Sequence, residues 1–193
     1  MKQEHADLIA SIPRGVAASQ CAVLYELAQE STHGVVEIGS YRGKSTVALA
    51  LGSKAGHQVP VFAVDPHEDY EGLPGPNGEP GYQFGAEDRR QFFQNILNCD
   101  CWDCVRLVNL PSTQAAASWV RPIDVLFIDG NHRYEAVKAD CDAWLPHLVS
   151  GGQVVFHDAL SHLPPYQVAQ ELIRDGHMEF VRQFEQVIIL RKP

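Results

Sequence analysis

The side chains able to do chemistry in this chain gather where apolar runs stop. Asp129 closes Asp124-Val125-Leu126-Phe127-Ile128 and is followed at once by Gly130-Asn131-His132. Asp158 closes Gln153-Val154-Val155-Phe156-His157, and Asp65 closes Val61-Phe62-Ala63-Val64. Glu37 sits inside the run Val35 to Ile38, just ahead of Gly39-Ser40-Tyr41-Arg42-Gly43-Lys44-Ser45-Thr46. Each type suits a task. An imidazole with an ordinary pKa of roughly 6.5 can remove a proton near neutrality, which makes His132 a candidate base beside Asp129. Asp129 and Asp158 end two strands expected to be neighbours, and adjacent carboxylates repel unless protonated or bridged. Mg²⁺ accepts such oxygens while keeping waters for a substrate hydroxyl. The two glycines let the backbone pass close to a ligand, and the first N–H groups of the following helix point at it.

The details of that glycine turn select among ligands. A dinucleotide fingerprint needs glycine where Tyr41 stands. A phosphate-wrapping P-loop needs four residues between its glycine and Gly-Lys-Ser/Thr, whereas Gly39 and Gly43 enclose three. What remains is Glu-x-Gly-x-x-x-Gly, which resembles motif I of the class I S-adenosylmethionine (SAM)-dependent methyltransferases. The resemblance implies that Glu37, Gly39, Ser40 and Gly43, with Ser45 at the helix start, hold the methionine part of SAM. Asp65 follows Gly43 by 22 residues, near the spacing of about 20 at which an acid reaches ribose hydroxyls in such sheets.

A third signature extends the likeness. Ile128-Asp129-Gly130-Asn131-His132, then Gly151-Gly152, then Phe156-His157-Asp158, is similar to the Ile-Asp-Gly-x-His…Gly-Gly…Phe-His-Asp pattern of a small-molecule O-methyltransferase family. Its relatives include cephalosporin hydroxylase and macrolide or sugar O-methyltransferases. The resemblance spans Val35 to Asp158 and points to His132 as the base, with Asp129 shared between catalysis and the cofactor. The pair Asp129 and Asp158 resembles the metal site of catechol-type O-methyltransferases, so Mg²⁺ is an expected second cofactor. That pattern has Asp-Asn at the second strand end, however, and here the residues are Asp158-Ala159. His157 or Glu68 is then the candidate replacement ligand. Ser112-Thr113-Gln114 occupy the position that reaches adenine in class I enzymes, with Ser112 the named contact; Ser112 could equally cap a helix.

These residues need strand ends on one edge of a sheet. Apolar runs predict strands at about 35–38, 61–65, 105–110, 124–129 and 153–157, alternating with helices, one of them over Glu135 to Leu148. The segments 179–184 and 186–190 have hairpin spacing. The expected fold is α/β: a Rossmann-like, doubly wound, mostly parallel seven-stranded sheet ending in an antiparallel hairpin, with ligands at the strand C-termini. Residues 1–193 read as one domain, with helices over 1–30 carrying the stripe Val16, Cys21, Leu24 and Leu27. Residues 66–85 are turn-rich and too long for a βα connection. They read as a lid or substrate loop, with His67, Glu68, Asp69, Tyr70, Tyr82 and Phe84 as its contacts. His162, Pro164, Pro165 and Tyr166 could wall an acceptor pocket.

Composition removes other classes. The formal net charge of −9 argues against a partner bound through neutralised phosphates, so no nucleic acid is expected. No apolar run reaches the roughly 18 residues of a membrane span, and no secretory leader is visible, which leaves a cytoplasmic expectation. Cys99, Cys101 and Cys104 cluster without a matched second pair, so a helix end tolerating thiols is favoured over zinc. Phe92-Phe93 and the N-terminal helices could form a homodimer face or ordinary core. The function expected is methyl transfer from SAM to a hydroxyl of a small molecule. The rivals are a binding module for SAM or a nucleoside without turnover, and a nucleotide enzyme built on Gly43-Lys44-Ser45-Thr46.

Overall fold

Alternating helical and strand periodicities become a three-layer α/β structure in the computed structural model, which describes residues 1–68, 70–71, 83–160 and 163–193. In chain order the elements are α1 (Gln3–Ala10), α2 (Ala18–Glu30), β1 (Val35–Ile38), α3 (Lys44–Ala55), β2 (Val61–Val64), β3 (Tyr70–Glu71), β4 (Gln83–Phe84), α4 (Ala86–Asn98), β5 (Val105–Val108), α5 (Ser112–Ala117), β6 (Ile123–Ile128), α6 (Tyr134–Trp144), β7 (Leu148–Phe156), α7 (Pro164–Arg174), β8 (Glu179–Phe184) and β9 (Val187–Arg191). Asp69, Tyr82 and His162 lie outside the described residues.

Seven strands form one sheet in the order β5-β2-β1-β6-β7-β9-β8, and β3 with β4 makes a separate two-stranded ribbon. β5, β2, β1, β6 and β7 run parallel, while β9 pairs antiparallel with β7 and β8. The chain winds outward from β1 in one direction and from β6 in the other. The crevice between those two strand ends is therefore the topological switch point where open α/β sheets bind ligands.

Strand alternation divides the core into two. Val35 of β1 and Val125 and Phe127 of β6 face a cluster built with α1, α2, α3 and α4. Val36, Ile38, Leu126 and Ile128 face the opposite cluster, which includes Val137, Cys141 and Trp144 of α6 and Val168 of α7. The predicted stripe Val16, Cys21, Leu24 and Leu27 is buried, as is Phe92; Phe93 is exposed. α2 and α3 approach so closely that a Cβ on Gly52 would lie 2.2 Å from the Tyr25 carbonyl oxygen. Cys99, Cys101 and Cys104 are buried free thiols within the first cluster. Burial pushes the Cys104 thiol up to about 11, which keeps it an inert core group.

Two expected boundaries move. The strand expected at about 153–157 begins earlier, at Leu148, so that Ser150-Gly151-Gly152 is part of β7. The ladder with β6 absorbs these residues as an irregularity, with Ile123 opposite Leu148 and Val125 opposite Gln153. α6 ends at Trp144 rather than Leu148, because Pro146 diverts the chain into a single 3₁₀ turn over Leu145–His147. No helix among the described residues is long and apolar enough to cross a membrane.

Candidate active site

The strand-end crevice opens into a cavity of about 450 Å³, within the size range of small-molecule sites. Gly39, Asp129, Gly130 and Asn131 line it beside β1 and β6; Asp65, Pro66, His67 and Glu68 line it beyond β2. Pro111, Ser112 and Thr113 at the start of α5 and Ala136, Ala139 and Asp140 on α6 form a further wall, and Phe84, Gly85 and Asp88 contribute from the ribbon side.

The glycine turn is built around close approach. Gly39 has a φ of +84°, and a Cβ there would lie 2.4 Å from the Asp129 carbonyl oxygen. Gly43, at φ 83°, is the N-cap of α3. Between them Tyr41 also adopts a left-handed φ of 47°, and the turn is pinned by Asp65. One carboxylate oxygen of Asp65 accepts the Ser40 N–H at 2.9 Å and the Tyr41 N–H at 3.0 Å; the other accepts the His67 N–H at 2.8 Å. Each carboxylate oxygen has two lone-pair directions, so acceptor capacity remains for a ligand. His67 itself is buried with a left-handed φ, and its Nε2 lies 3.3 Å from the Ser40 hydroxyl. Burial lowers its pKa against the pull of Asp65, so its ring is neutral.

Glu37, Ser40, Gly43 and Ser45 do not line the cavity; they stand behind its wall. Glu37 is fully buried, accepts a hydrogen bond from the Thr46 hydroxyl and leaves Oε1 without a partner among the described residues. Burial pushes its carboxyl up to about 8, against the lowering effect of Ser45 and Thr46. The acid is therefore neutral at pH 7 until a cation reaches it.

At the ends of β6 and β7 two carboxylates meet two imidazoles. His132 sets Nε2 3.4 Å from Asp129 Oδ1 and Nδ1 3.3 Å from Asp158 Oδ2. His157 sets Nδ1 2.9 Å from the same Asp129 oxygen. The protonation of His157 follows from its other side. The Ala17 N–H donates to Gln20 Oε1, which fixes that amide with its oxygen toward His157 Nε2 at 3.1 Å. Nε2 then carries the proton that faces Gln20, and Nδ1 lies toward the Asp129 carboxylate. Burial would lower the pKa of either histidine. In His157 the charge of Asp129 outweighs it, and in His132 the hydrogen bond and charge of Asp129, with Asp158, do the same. Asp129 is held below the usual carboxylate range: burial opposes this, but the charge of His157 and the bonds from both histidines prevail. Asp158 takes a left-handed φ of 48°, a conformation rare outside glycine.

Asp129, His132 and Asp158 each bring a donor atom within 4.8 Å of the others. Two carboxylates and an imidazole are a donor set that suits a divalent cation, so these residues fit the expected metal. Glu68 lines the cavity, and His157 is turned toward Gln20 and Asp129. Ser112 does line the cavity, yet its hydroxyl accepts the Trp144 indole N–H at 2.8 Å.

Three site residues escaped the sequence reading: Gln20, which orients His157; Asp88, which receives Arg42 Nε at 2.8 Å; and Asp140. Asp140 did leave a trace, being an acid at helical spacing from Val137 and Trp144 on an otherwise apolar stripe. Nothing comparable marked Gln20 or Asp88.

A doubly wound sheet with a glycine turn after β1, an acid after β2 and a reversed final strand pair defines the class I methyltransferase architecture. Residues 36–159 match the methyltransferase domain family, and the chain belongs to it. The matched region is a methyltransferase domain. Solved structures share the fold. Cofactor-bound Rv0187 from MTB superposes with a TM-score of 0.70 at 19% identity, over 98% of this chain and 86% of that one. The O-methyltransferase NovP gives 0.68 at 20% identity, over 92% and 81%. The O-methyltransferase from Bacillus cereus in complex with S-adenosylhomocysteine (SAH) gives 0.66 at 18% identity, over 100% and 92%. Among curated proteins, y4gI of Sinorhizobium fredii is 29% identical over 127 residues, which is 64% of this chain but only 13% of that much longer protein.

Proposed function

We propose that this methyltransferase acts on a hydroxyl of a small molecule, with the cofactor laid across the strand ends. In this reading Gly39 receives the methionine part, with Glu37, Ser40, Gly43 and Ser45 supporting the turn from behind. Asp65 takes the ribose hydroxyls, and the wall of α5 and α6 takes the base. Asp129 borders the reacting end.

The observation that carries the choice of a hydroxyl is His132, held between Asp158 and the cavity-lining Asp129. Methyl transfer from a sulfonium is an in-line displacement in which the protein positions the acceptor and manages its proton. A hydroxyl needs that management, whereas an amine needs less. Asp129 and Asp158 stabilise the imidazolium that results when His132 takes the acceptor's proton. Asp129 and Asp158 are also the residues that would hold Mg²⁺, which would supply Lewis acidity that favours an ionised acceptor hydroxyl. The cavity of about 450 Å³ and the net charge of −9 favour a small acceptor over a nucleic acid. NovP and the Bacillus cereus protein, both named O-methyltransferases, support the same choice.

The test is calorimetric titration with SAH, with and without Mg²⁺ and EDTA, followed by a screen of hydroxylated acceptors with methyl-labelled SAM. Micromolar SAH binding and labelled ether products are expected. Products carrying the label only on nitrogen would overturn the hydroxyl assignment. SAH affinity and turnover indifferent to EDTA would remove the metal.

A further inference from the structure

α4 has one buried flank and one bare one. The inner flank is fixed in place: Phe92 and Ile96 are buried, and Asn95 Nδ2 donates to the Arg42 carbonyl at 2.8 Å. Asp88 adds its contact with Arg42 Nε at 2.8 Å. The outer flank carries Arg90, Phe93 and Leu97, spaced i, i+3 and i+7 along one stripe. Phe93 is 48% exposed and Leu97 63%. Trp102 is 62% exposed, and the bond from the Cys101 N–H to the Ile96 carbonyl keeps it at the end of the same helix. Exposed apolar residues scattered singly carry no meaning, but a run of them along one element marks a contact surface.

Charge along this flank is polarised, and the polarity says what fits it. Toward the start of α4 stand the exposed Arg89 and Arg90, the second bridged to Glu87 at 2.7 Å. Past the other end stand Asp100, with its side chain 84% exposed, and Asp103, which shares Lys54. A stripe that is basic at one end, apolar in the middle and acidic at the other complements a copy of itself turned end for end. It repels a copy laid parallel. With a two-fold axis passing midway between Phe93 and Leu97, each Phe93 faces Leu97 of the second copy. Arg90 then faces Asp100 of that copy, with the neighbouring Trp102 ring available to the guanidinium.

We infer that the outer stripe of α4 is the two-fold contact of a homodimer in which the two helices pack antiparallel. Phe92 is then core and Phe93 interface, although they are adjacent in the chain. The helix is about 20 Å long, so one pair of them makes a small interface, and association in the micromolar range is expected. The anchored inner flank holds the stripe rigid, so little ordering is lost on pairing. The inference stands whatever cofactor the cavity takes.

Sedimentation velocity on the full chain, loaded from about 2 to 200 µM to span a small interface, tests it. The variants are Phe93→Lys, Leu97→Glu, the double variant, and Phe180→Lys on β8, whose Phe180 is the exposed apolar residue of a different edge. Thermal melts control for folding. The wild type should dimerise within this range. F93K and L97E should each raise the dimer dissociation constant by about tenfold or more, since every change counts twice across a two-fold axis. F180K should leave it within about twofold of wild type. The double variant sets Lys against Glu across an antiparallel contact and should dimerise more tightly than either single variant. A parallel contact would set Lys on Lys and make the double variant the weakest, which overturns the arrangement inferred. A wild type that stays monomeric throughout overturns the proposal. So do F93K and L97E proteins that melt and dimerise like wild type, and so does a dimer lost only in F180K.

Discussion

Replacing Glu37 with Gln tests the buried acid of β1 directly. Glu37 is fully buried, one of its oxygens has no partner, and its carboxyl is pushed from 4.5 up to about 8. Each tenfold change in proton affinity is worth about 1.4 kcal/mol, so ionising this group in the ligand-free fold costs on the order of 5 kcal/mol. The folded pKa lies above the unfolded one, so the folded chain keeps a proton that the unfolded chain releases. Stability from this group is complete below about pH 4.5 and is lost as pH rises toward 8. Gln mimics the neutral acid and cannot ionise, although its NH₂ must sit where Oε1 now lacks a partner, costing about 1–3 kcal/mol. Urea unfolding from pH 5 to 9 should therefore show the wild type losing stability relative to E37Q as pH rises. The gap between them should shift by several kcal/mol across the window. Parallel curves for the two proteins would refute the reasoning. The same acid links to the cofactor: an ammonium near Glu37 favours its ionised form, so SAH binding at pH 7 should release a proton in the wild type and not in E37Q. Calorimetry in buffers of different ionisation enthalpy measures that proton.

Three further substitutions probe the remaining parts of the site. Gly39→Ala places a Cβ 2.4 Å from the Asp129 carbonyl oxygen at a φ of +84°; it should cost about 2–4 kcal/mol of stability and abolish SAH binding, and a variant with wild-type melting would show that the β1–β6 approach is softer than drawn. Asp65→Ala removes the acceptor of the Ser40, Tyr41 and His67 amides as well as the proposed ribose partner. SAH affinity should fall by about 1.5–3 kcal/mol with a lower melting temperature, and unchanged calorimetric affinity would take Asp65 out of the ribose site. His132→Ala should lower turnover by a factor of about 10² to 10⁴ while the SAH dissociation constant stays within about twofold; loss of SAH binding would make His132 structural.

Much of the architecture was legible because its signals are local and repeated. Apart from Glu37 and Asp124, Val35–Ile38, Val61–Val64 and Ile123–Ile128 are apolar on both faces, as parallel strands covered by helices on both sides must be. The acids that follow them could be placed at one sheet edge from topology alone. The boundary errors have a different origin. Ser150-Gly151-Gly152 carries turn chemistry, and its place in the strand comes from backbone bonds to Lys192 just beyond β9, with Gly151 N–H donating to the Lys192 carbonyl and Lys192 N–H to that of Gly152, a tertiary effect that no local reading contains.

The candidate site was legible where function sits at strand ends and opaque where it sits behind them. Asp65 and Asp129 announce themselves by closing apolar runs. The state of Asp129, however, depends on a chain of contacts running from the Ala17 amide through Gln20 to His157. That chain joins residues 140 positions apart in sequence, and a glutamine in the first turn of a helix gives no sign of it. Asp140 lies between these cases. Its placement on the apolar stripe of α6 was visible as an anomaly. Its surroundings are tertiary: it is buried against the cavity, and burial pushes its carboxyl up to about 6. A buried acid on an apolar stripe is therefore informative in this fold once its partners are counted. With a full set of partners it is a structural group, and with too few it marks where a ligand must supply the missing donor.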